Sequence, residues 1–329
     1  MAARNWEEEE RRRRRKRLVR GLLVGGAAIG VPALANYLIQ RRAGRPGVPT
    51  WGRSHRYSWR YGEIAFQRLG EGPPLLLVHS IGPGHDGTQW RRAAEILAQQ
   101  HSVFVPDLLG FGRSDKPRIV YDGELYIQLL SDFLADIVRE RAAVVAAGLP
   151  AAYAVQVAVD EPEALSALGL VVPLGIEIHG EEPDLKDAVV HRALRLPIVG
   201  TSALNVYTSR SGIAHHLREI YGAEDAVDAA LVDHHYRSSH QPGAHAPLAA
   251  YVAGYLNHSV EPVLPRLAAP TWIGWGRRAK SPEVESADLW LHHLPHGELE
   301  VFEPAGNLPH AEVPTAFSKK LESFLAGLD

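Results

Sequence analysis

Between Ala142 and Val159 the chain passes through three kinds of structure in one short stretch. Val144, Val145 and Ala146 read as a buried strand, Ala147-Gly148-Leu149 as a sharp turn, and the alanine-rich segment from Pro150 as a buried helix. Proline suits the first helical turn, where its missing N–H has no partner to lose. A strand that runs directly into a helix forces the residue at the tip into a sparsely populated backbone region. That costs roughly 1–3 kcal/mol when a Cβ is present, and glycine removes the penalty. Gly148 is therefore the expected tip, with the compact residues Ala146 and Pro150 two positions to either side. An ordinary strand and buried helix would read the same way in isolation, so the flanking chain has to decide.

The 329 residues, 46% of them hydrophobic, can bury one large α/β core or two small ones. A net charge of −3 carries no global nucleic-acid signature, so no nucleic-acid partner is expected. The chain has no cysteine, which excludes disulfides, thiolate metal sites and cysteine nucleophiles.

The amino-terminal part reads as a separate object. Residues 1–17 form a charged leader in which Glu7 to Glu10 precede the basic run Arg11 to Arg17. The mostly apolar run from Leu18 to Ile39 is long enough to cross a bilayer as a helix, which needs about 20 residues. A single membrane anchor over 18–40, with its amino terminus on the cytoplasmic side, is the favoured reading. Two others compete with it: an export signal cleaved near Ala35, after the A-x-A pattern Ala33-Leu34-Ala35, and a soluble helix beside a solvated charge run. Residues 41–56 read as a linker, and 57–329 as the folded domain.

Within that domain Tyr57 to Tyr61 and Ile64 to Leu69 suit a hairpin. The uniformly apolar Pro74 to His79 suits a central parallel strand covered on both faces, and it opens into His79-Ser80-Ile81-Gly82-Pro83-Gly84. A helix is expected from about Thr88 to Gln100, followed by Val103-Phe104-Val105-Pro106-Asp107-Leu108-Leu109-Gly110-Phe111-Gly112-Arg113-Ser114-Asp115. Further strands are expected at Ala164 to Val172, Pro270 to Gly276 and Glu298 to Phe302. The last leads into Ala305-Gly306-Asn307-Leu308-Pro309-His310-Ala311-Glu312-Val313-Pro314 and a closing helix from Thr315 to Leu328.

These motifs, in this order, resemble the α/β-hydrolase family over about residues 57 to 328. The resemblance implies a mostly parallel central sheet flanked by helices, with a helical lid inserted at about 174–266. In that family the tip of the strand–turn–helix reads G-x-S-x-G and carries the nucleophile. The strand ending at Gly276 continues into an aspartate that orients the base, and the final strand leads into G-H-x-P-H-x-E-x-P, whose first histidine is the base. Here those slots hold Gly148, Ala279 and Asn307. Glycine has nothing to acylate, alanine cannot orient an imidazole, and an amide cannot accept the proton. The oxyanion donors implied by the family fall near Ser80 or Ile81 and at Leu149, with His79 beside them. Asp107, Arg113 and Asp115 take the family's loop-bracing role.

The favoured reading is thus a membrane-anchored α/β-hydrolase-fold protein that acts by binding a small apolar ligand or a membrane-protein partner, without a cofactor. A different class, an active hydrolase, would need a displaced pair, for which Ser80 and His310 are the candidates. A third is an accessory subunit of a membrane complex. His215-His216, His234-His235, His240 and His245 invite a metal reading, but no H-E-x-x-H spacing accompanies them and no metal is expected.

Overall fold

The computed structural model describes residues 29–44, 47, 51–176 and 183–328. Its centre is an eight-stranded sheet in the order β1-β2-β4-β3-β5-β6-β7-β8. β1 (Arg53–Trp59) and β2 (Gly62–Leu69) form an antiparallel hairpin, and β2 runs antiparallel to β4 (Ser102–Pro106). From β4 onward every pairing is parallel, through β3 (Pro74–Val78), β5 (Ala142–Ala147), β6 (Leu165–Val171), β7 (Thr271–Gly276) and β8 (Glu298–Phe302). The uniform apolar character of the central strands follows from their position, since β5 is buried along its whole length. Small residues there have a packing role as well. A Cβ at Gly169 of β6 would come within 2.9 Å of the Val145 side chain on β5.

Residues 29–43 are helical and are called α1. The sheet is flanked by α2 (Arg91–Leu97), α3 (Gly123–Phe133), α4 (Leu149–Asp160), α10 (Ala287–His293) and α12 (Pro314–Ala326), with the short α11 (Pro309–Glu312) preceding the last. Between β6 and β7 the chain inserts α5 (Leu185–Leu194), α6 (Val199–Tyr207), α7 (Arg210–Ile220), α8 (Ala229–Ser239) and α9 (His245–Val252). α5 is held at its start by a reciprocal capping box of Asp184 and Asp187.

Two expectations for the amino-terminal part are corrected. The linker expected over 41–56 is shorter, because α1 runs to residue 43 and β1 already begins at Arg53. Among the described residues no helix is long and apolar enough to cross a membrane. The leader 1–17 and the first part of the expected anchor, 18–28, lie outside the described residues. The remainder, 29–39, falls on α1. There the Asn36 amide donates to the Ile198 carbonyl at 3.1 Å and accepts from Asn205 Nδ2 at 2.9 Å, fastening α1 to α6.

Candidate functional site

The carboxyl ends of the parallel strands open on one edge of the sheet, where ligand sites of such sheets are built. β5 leaves the sheet at Ala147, Gly148 forms the tip with φ of 65°, and α4 begins at Leu149 with Pro150 in its first turn. This is the expected strand–turn–helix. Gly148 N–H donates to the Val171 carbonyl at 3.0 Å and the Gly148 carbonyl accepts from Leu174 N–H at 3.3 Å, which ties the tip to the end of β6. A Cβ built on Gly148 would meet only the Ser80 Cβ, at 3.4 Å. The position has room for a side chain and lacks one. Leu149 and the rest of the first turn of α4 have N–H groups without partners inside the helix, a suitable edge for a negatively charged oxygen.

On the β3 and β4 side of this tip the loops are dense with buried polar groups. His79 is fully buried. Its Nε2 accepts from Leu108 N–H at 3.0 Å, so its Nδ1 carries the proton and donates to the Ser80 carbonyl at 2.8 Å. Burial lowers its pKa, and the neutral ring serves as a clamp between the two loops. Asp107 is buried and accepts from Gly87 N–H and Arg113 N–H, both at 2.8 Å, while Asp115 accepts from Glu63 N–H at 2.9 Å. Burial and the nearby Asp86 raise the Asp107 pKa. Asp107 and Asp115 are therefore loop braces, and Arg113 joins them through its backbone and through a 3.3 Å bond to Ser54 Oγ.

Ser80, the expected backup nucleophile, is paired with an imidazole that the sequence reading did not single out. Its Oγ lies 2.8 Å from His85 Nδ1 and 3.0 Å from Gln89 Oε1, and its N–H donates to the same amide oxygen at 3.1 Å. His85 Nε2 in turn lies 3.3 Å from His216 Nε2 on α7. Because Gln89 Oε1 is fixed as an acceptor by Ser80 N–H, every bond in the chain is satisfied when His216 donates to His85, His85 to Ser80, and Ser80 to Gln89. In that arrangement His85 is a donor to the hydroxyl and not its base. No carboxylate is among the hydrogen-bond partners found for His85. Burial holds His85 well below the usual histidine pKa and brings His216 to about 4, so both rings are neutral near pH 7. Gly82, Pro83 and Gly84 crowd this cluster. A Cβ on Gly82 would strike the His85 ring at 2.8 Å, and one on Gly84, whose φ is 74°, would lie 2.2 Å from the His235 carbonyl on α8.

The loop after β3 is also fastened to the insertion by charge. Asp86 Oδ2 lies 2.8 Å from His234 Nε2. Burial opposes charge on both partners, but each favours the charged form of the other, so the Asp86 pKa is lowered and that of His234 raised. Next to it His235, with Nδ1 directed at the Pro83 carbonyl at 2.9 Å, is brought by burial to about 4.

On the β7 and β8 side the picture is different. Ala279 is buried at the slot after β7, and Asn307 at the slot after β8 reaches across to the neighbouring loop. Its Nδ2 donates to the Ser281 carbonyl at 2.7 Å and its Oδ1 accepts from Lys280 N–H at 3.3 Å. The two slots are thus side by side, joined by an amide that braces loops. Glu312 accepts from Gly306 N–H and Gly222 N–H, each at 2.8 Å, and holds the same loop against the end of α7.

His310 is corrected as a candidate base. It is fully buried, stacked on Trp90 with ring centroids 3.8 Å apart, and neither ring nitrogen has a hydrogen-bond partner. Burial brings its pKa to about 3. It packs as an aromatic core side chain. The polar pocket expected around His79, Ser80, Ile81 and Leu149 is closed: all four are at most 6% exposed. Among the described residues no group of three or more histidine or acidic side chains is arranged to hold a metal ion. His216 and His234 instead reach opposite sides of the loop after β3, at His85 and Asp86.

A model of the alpha/beta hydrolase family matches residues 75–320. An uncharacterized protein of Mycobacterium tuberculosis is 29% identical over 277 residues, which cover 79% of this chain and 77% of that protein. The 2-hydroxy-6-oxo-6-(2'-aminophenyl)hexa-2,4-dienoic acid hydrolase of Metapseudomonas resinovorans is 26% identical over 282 residues, covering 80% of this chain and 88% of its own. Among solved structures, a membrane phospholipase A described as a bacterial virulence factor superposes with a TM-score of 0.68 at 24% identity, covering 95% of this chain and 99% of that one. At that identity the structural likeness is one of fold.

Proposed function

Because the chain belongs to the alpha/beta hydrolase family, we propose that it keeps the family's scaffold for binding and does not use the tip at Gly148 for acyl transfer. The observation that carries this reading is the tip itself. It has the strained backbone and the room that a nucleophile needs, and it bears no side chain. The neighbouring slots at Ala279 and Asn307 add an apolar methyl and a loop-bracing amide in place of an acid and a base. The hydrolase relatives are named for cleavage of their substrates, and this chain departs from that chemistry at all three positions. A small apolar ligand held at the tip has less support than a partner bound elsewhere, since Ser80, Ile81 and Leu149 are already covered. The five inserted helices act in this reading as a lid turned into a contact surface, and the run from Leu18 to Ile39 tethers the domain to a membrane.

The test is exposure of the full-length protein to a fluorophosphonate probe and to p-nitrophenyl acetate and butyrate. Neither covalent labelling nor turnover above buffer is expected. A second reading is favoured by one specific contact, the 2.8 Å approach of Ser80 Oγ to His85 Nδ1. With the tautomers reversed, His85 would accept the Ser80 proton and the hydroxyl could attack. Labelling that vanishes in both Ser80→Ala and His85→Ala would establish this reading and overturn the first.

A further inference from the structure

We propose that α5 and α6 form, together with α1, a face that lies on an anionic lipid bilayer. The proposal rests on the inserted helices being the working surface and names what they meet. Most of the large apolar side chains left exposed among the described residues sit on these elements. Val31 and Leu34 are on α1, Leu185 and Val189 on α5, and Val199 and Val206 on α6. The pattern on α6 is that of a helix buried on one side only. Gly200, Leu204 and Asn205 face inward, while Val199, Ala203 and Val206 recur at the spacing of one stripe and face out, the two valines at 68% and 74% exposure. The Asn36 bonds to Ile198 and Asn205 hold α1 along this helix, so residues more than 160 positions apart in sequence contribute to one apolar face.

Three observations select a bilayer as the occupant. First, α1 belongs to a stretch, Gly21 to Gln40, without a single charged residue, preceded by the basic run Arg11 to Arg17. The apolar surface is thus continuous in sequence with a segment of membrane character. Second, basic side chains border the face: Arg41 and Arg42 at the end of α1, and Arg192 and Arg195 on α5, all exposed. Third, the acids of the same region are turned toward their own helix terminus. The Asp184 carboxylate accepts from Lys186 N–H at 2.7 Å and from Asp187 N–H at 3.0 Å, and Asp187 returns a bond to Asp184 N–H at 2.9 Å. Apolar side chains ringed by arginines, with the acids occupied, suit phospholipid headgroups of negative charge. A second copy of the same face would bring the arginines against one another.

The absence of native cysteine makes a direct test clean. Val199→Cys, Val206→Cys and, as a control on the sheet flank, Lys319→Cys are each labelled with an environment-sensitive NBD dye in the full-length protein. The labelled proteins are mixed with vesicles of phosphatidylcholine and phosphatidylglycerol, with and without brominated acyl chains. The expected result is a blue shift at 199 and 206, quenched by the brominated lipid and weakened when phosphatidylglycerol is omitted, with no change at 319. Co-sedimentation with vesicles while all three dyes stay in a water-like, unquenched state would overturn the proposal and leave the tether intact. A blue shift that brominated lipid does not quench would place a protein against the face and overturn it equally. Failure to co-sediment at all would overturn the tether and the docking face together. None of these results bears on whether the tip at Gly148 is inert, which the fluorophosphonate probe reads independently.

Discussion

The two flanks of the tip at Gly148 have diverged in character. Toward β3 and β4 the loops hold His79, Ser80, His85, Asp86 and Asp107 in a buried, closely bonded network that continues into α7 and α8. Toward β7 and β8 there is a methyl group at 279 and an amide at 307, whose bonds only join one loop to the next. A hydrolase of this family needs the reverse, because its acid and base come from the β7 and β8 side. The difference teaches that polar chemistry near the tip now serves cohesion between the sheet and the inserted helices. On the other flank the positions that mattered for turnover have been reduced to structural minima.

The sharpest way to break this comparison is to refill the depleted flank. Gly148→Ser, Ala279→Asp and Asn307→His in one chain should raise p-nitrophenyl butyrate hydrolysis by about 100-fold or more over the unaltered protein, while each single substitution stays at background. A triple variant that folds with an unchanged Tm and is inert would show that the three positions are not working slots. The next effect is on stability and sets the flanks against each other. Gly84→Ala drives a Cβ to 2.2 Å from the His235 carbonyl and should cost about 3 kcal/mol or more in urea unfolding. Gly148→Ala, with only the Ser80 Cβ at 3.4 Å, should cost about 1–2 kcal/mol of backbone strain. Equal losses would mean that the tip is as tightly packed as the network beside it.

Acid should find the crowded flank first. His216 and His235 are each held at about 4 by burial, below their ordinary value of 6.5. The unfolded chain therefore takes up protons before the folded one, and the stability these rings contribute is whole above pH 6.5 and is lost as pH falls toward 4. Each should remove roughly 2 kcal/mol between pH 6.5 and 5. His216→Gln should flatten that part of the curve, and an unchanged slope would mean that water reaches the ring. The pair of Asp86 and His234 has the opposite dependence on its histidine side, since the raised His234 pKa makes its contribution fade as pH rises through that value. The smallest effect belongs to the sparse flank. Asn307→Ala removes two loop bonds at a half-buried position and should cost about 1 kcal/mol. A loss several times larger would make Asn307 part of a network and not a brace.

Much of the scaffold was legible because it is local. The apolar runs at Pro74, Ala142 and Thr271 lie on strands buried between helices, and Gly148 and Pro150 announce a turn that only such residues make easily. The braces at Asp107 and Asp115 could be read because their bonds fall within one motif or on the neighbouring hairpin. His310 misled because its position in a motif says nothing of which way a four-residue helix turns its face, and Trp90, its stacking partner, is far away in sequence. His85 went unnoticed for the complementary reason. Its importance depends on Ser80, Gln89 and a histidine on α7, and no spacing in the chain brings those three together. The glycines around it were the available signal, since close packing of backbone against a ring needs residues without a Cβ.

The bond between Asn36 and α6 has a mechanical consequence. The amino-terminal helix does not lead straight into the sheet but is laced to the roof that covers the tip. Any force or reorientation imposed on that end of the chain, by a membrane or by a neighbour, would be transmitted to the roof before the strands felt it, so the inserted helices and the amino terminus should move as one lever.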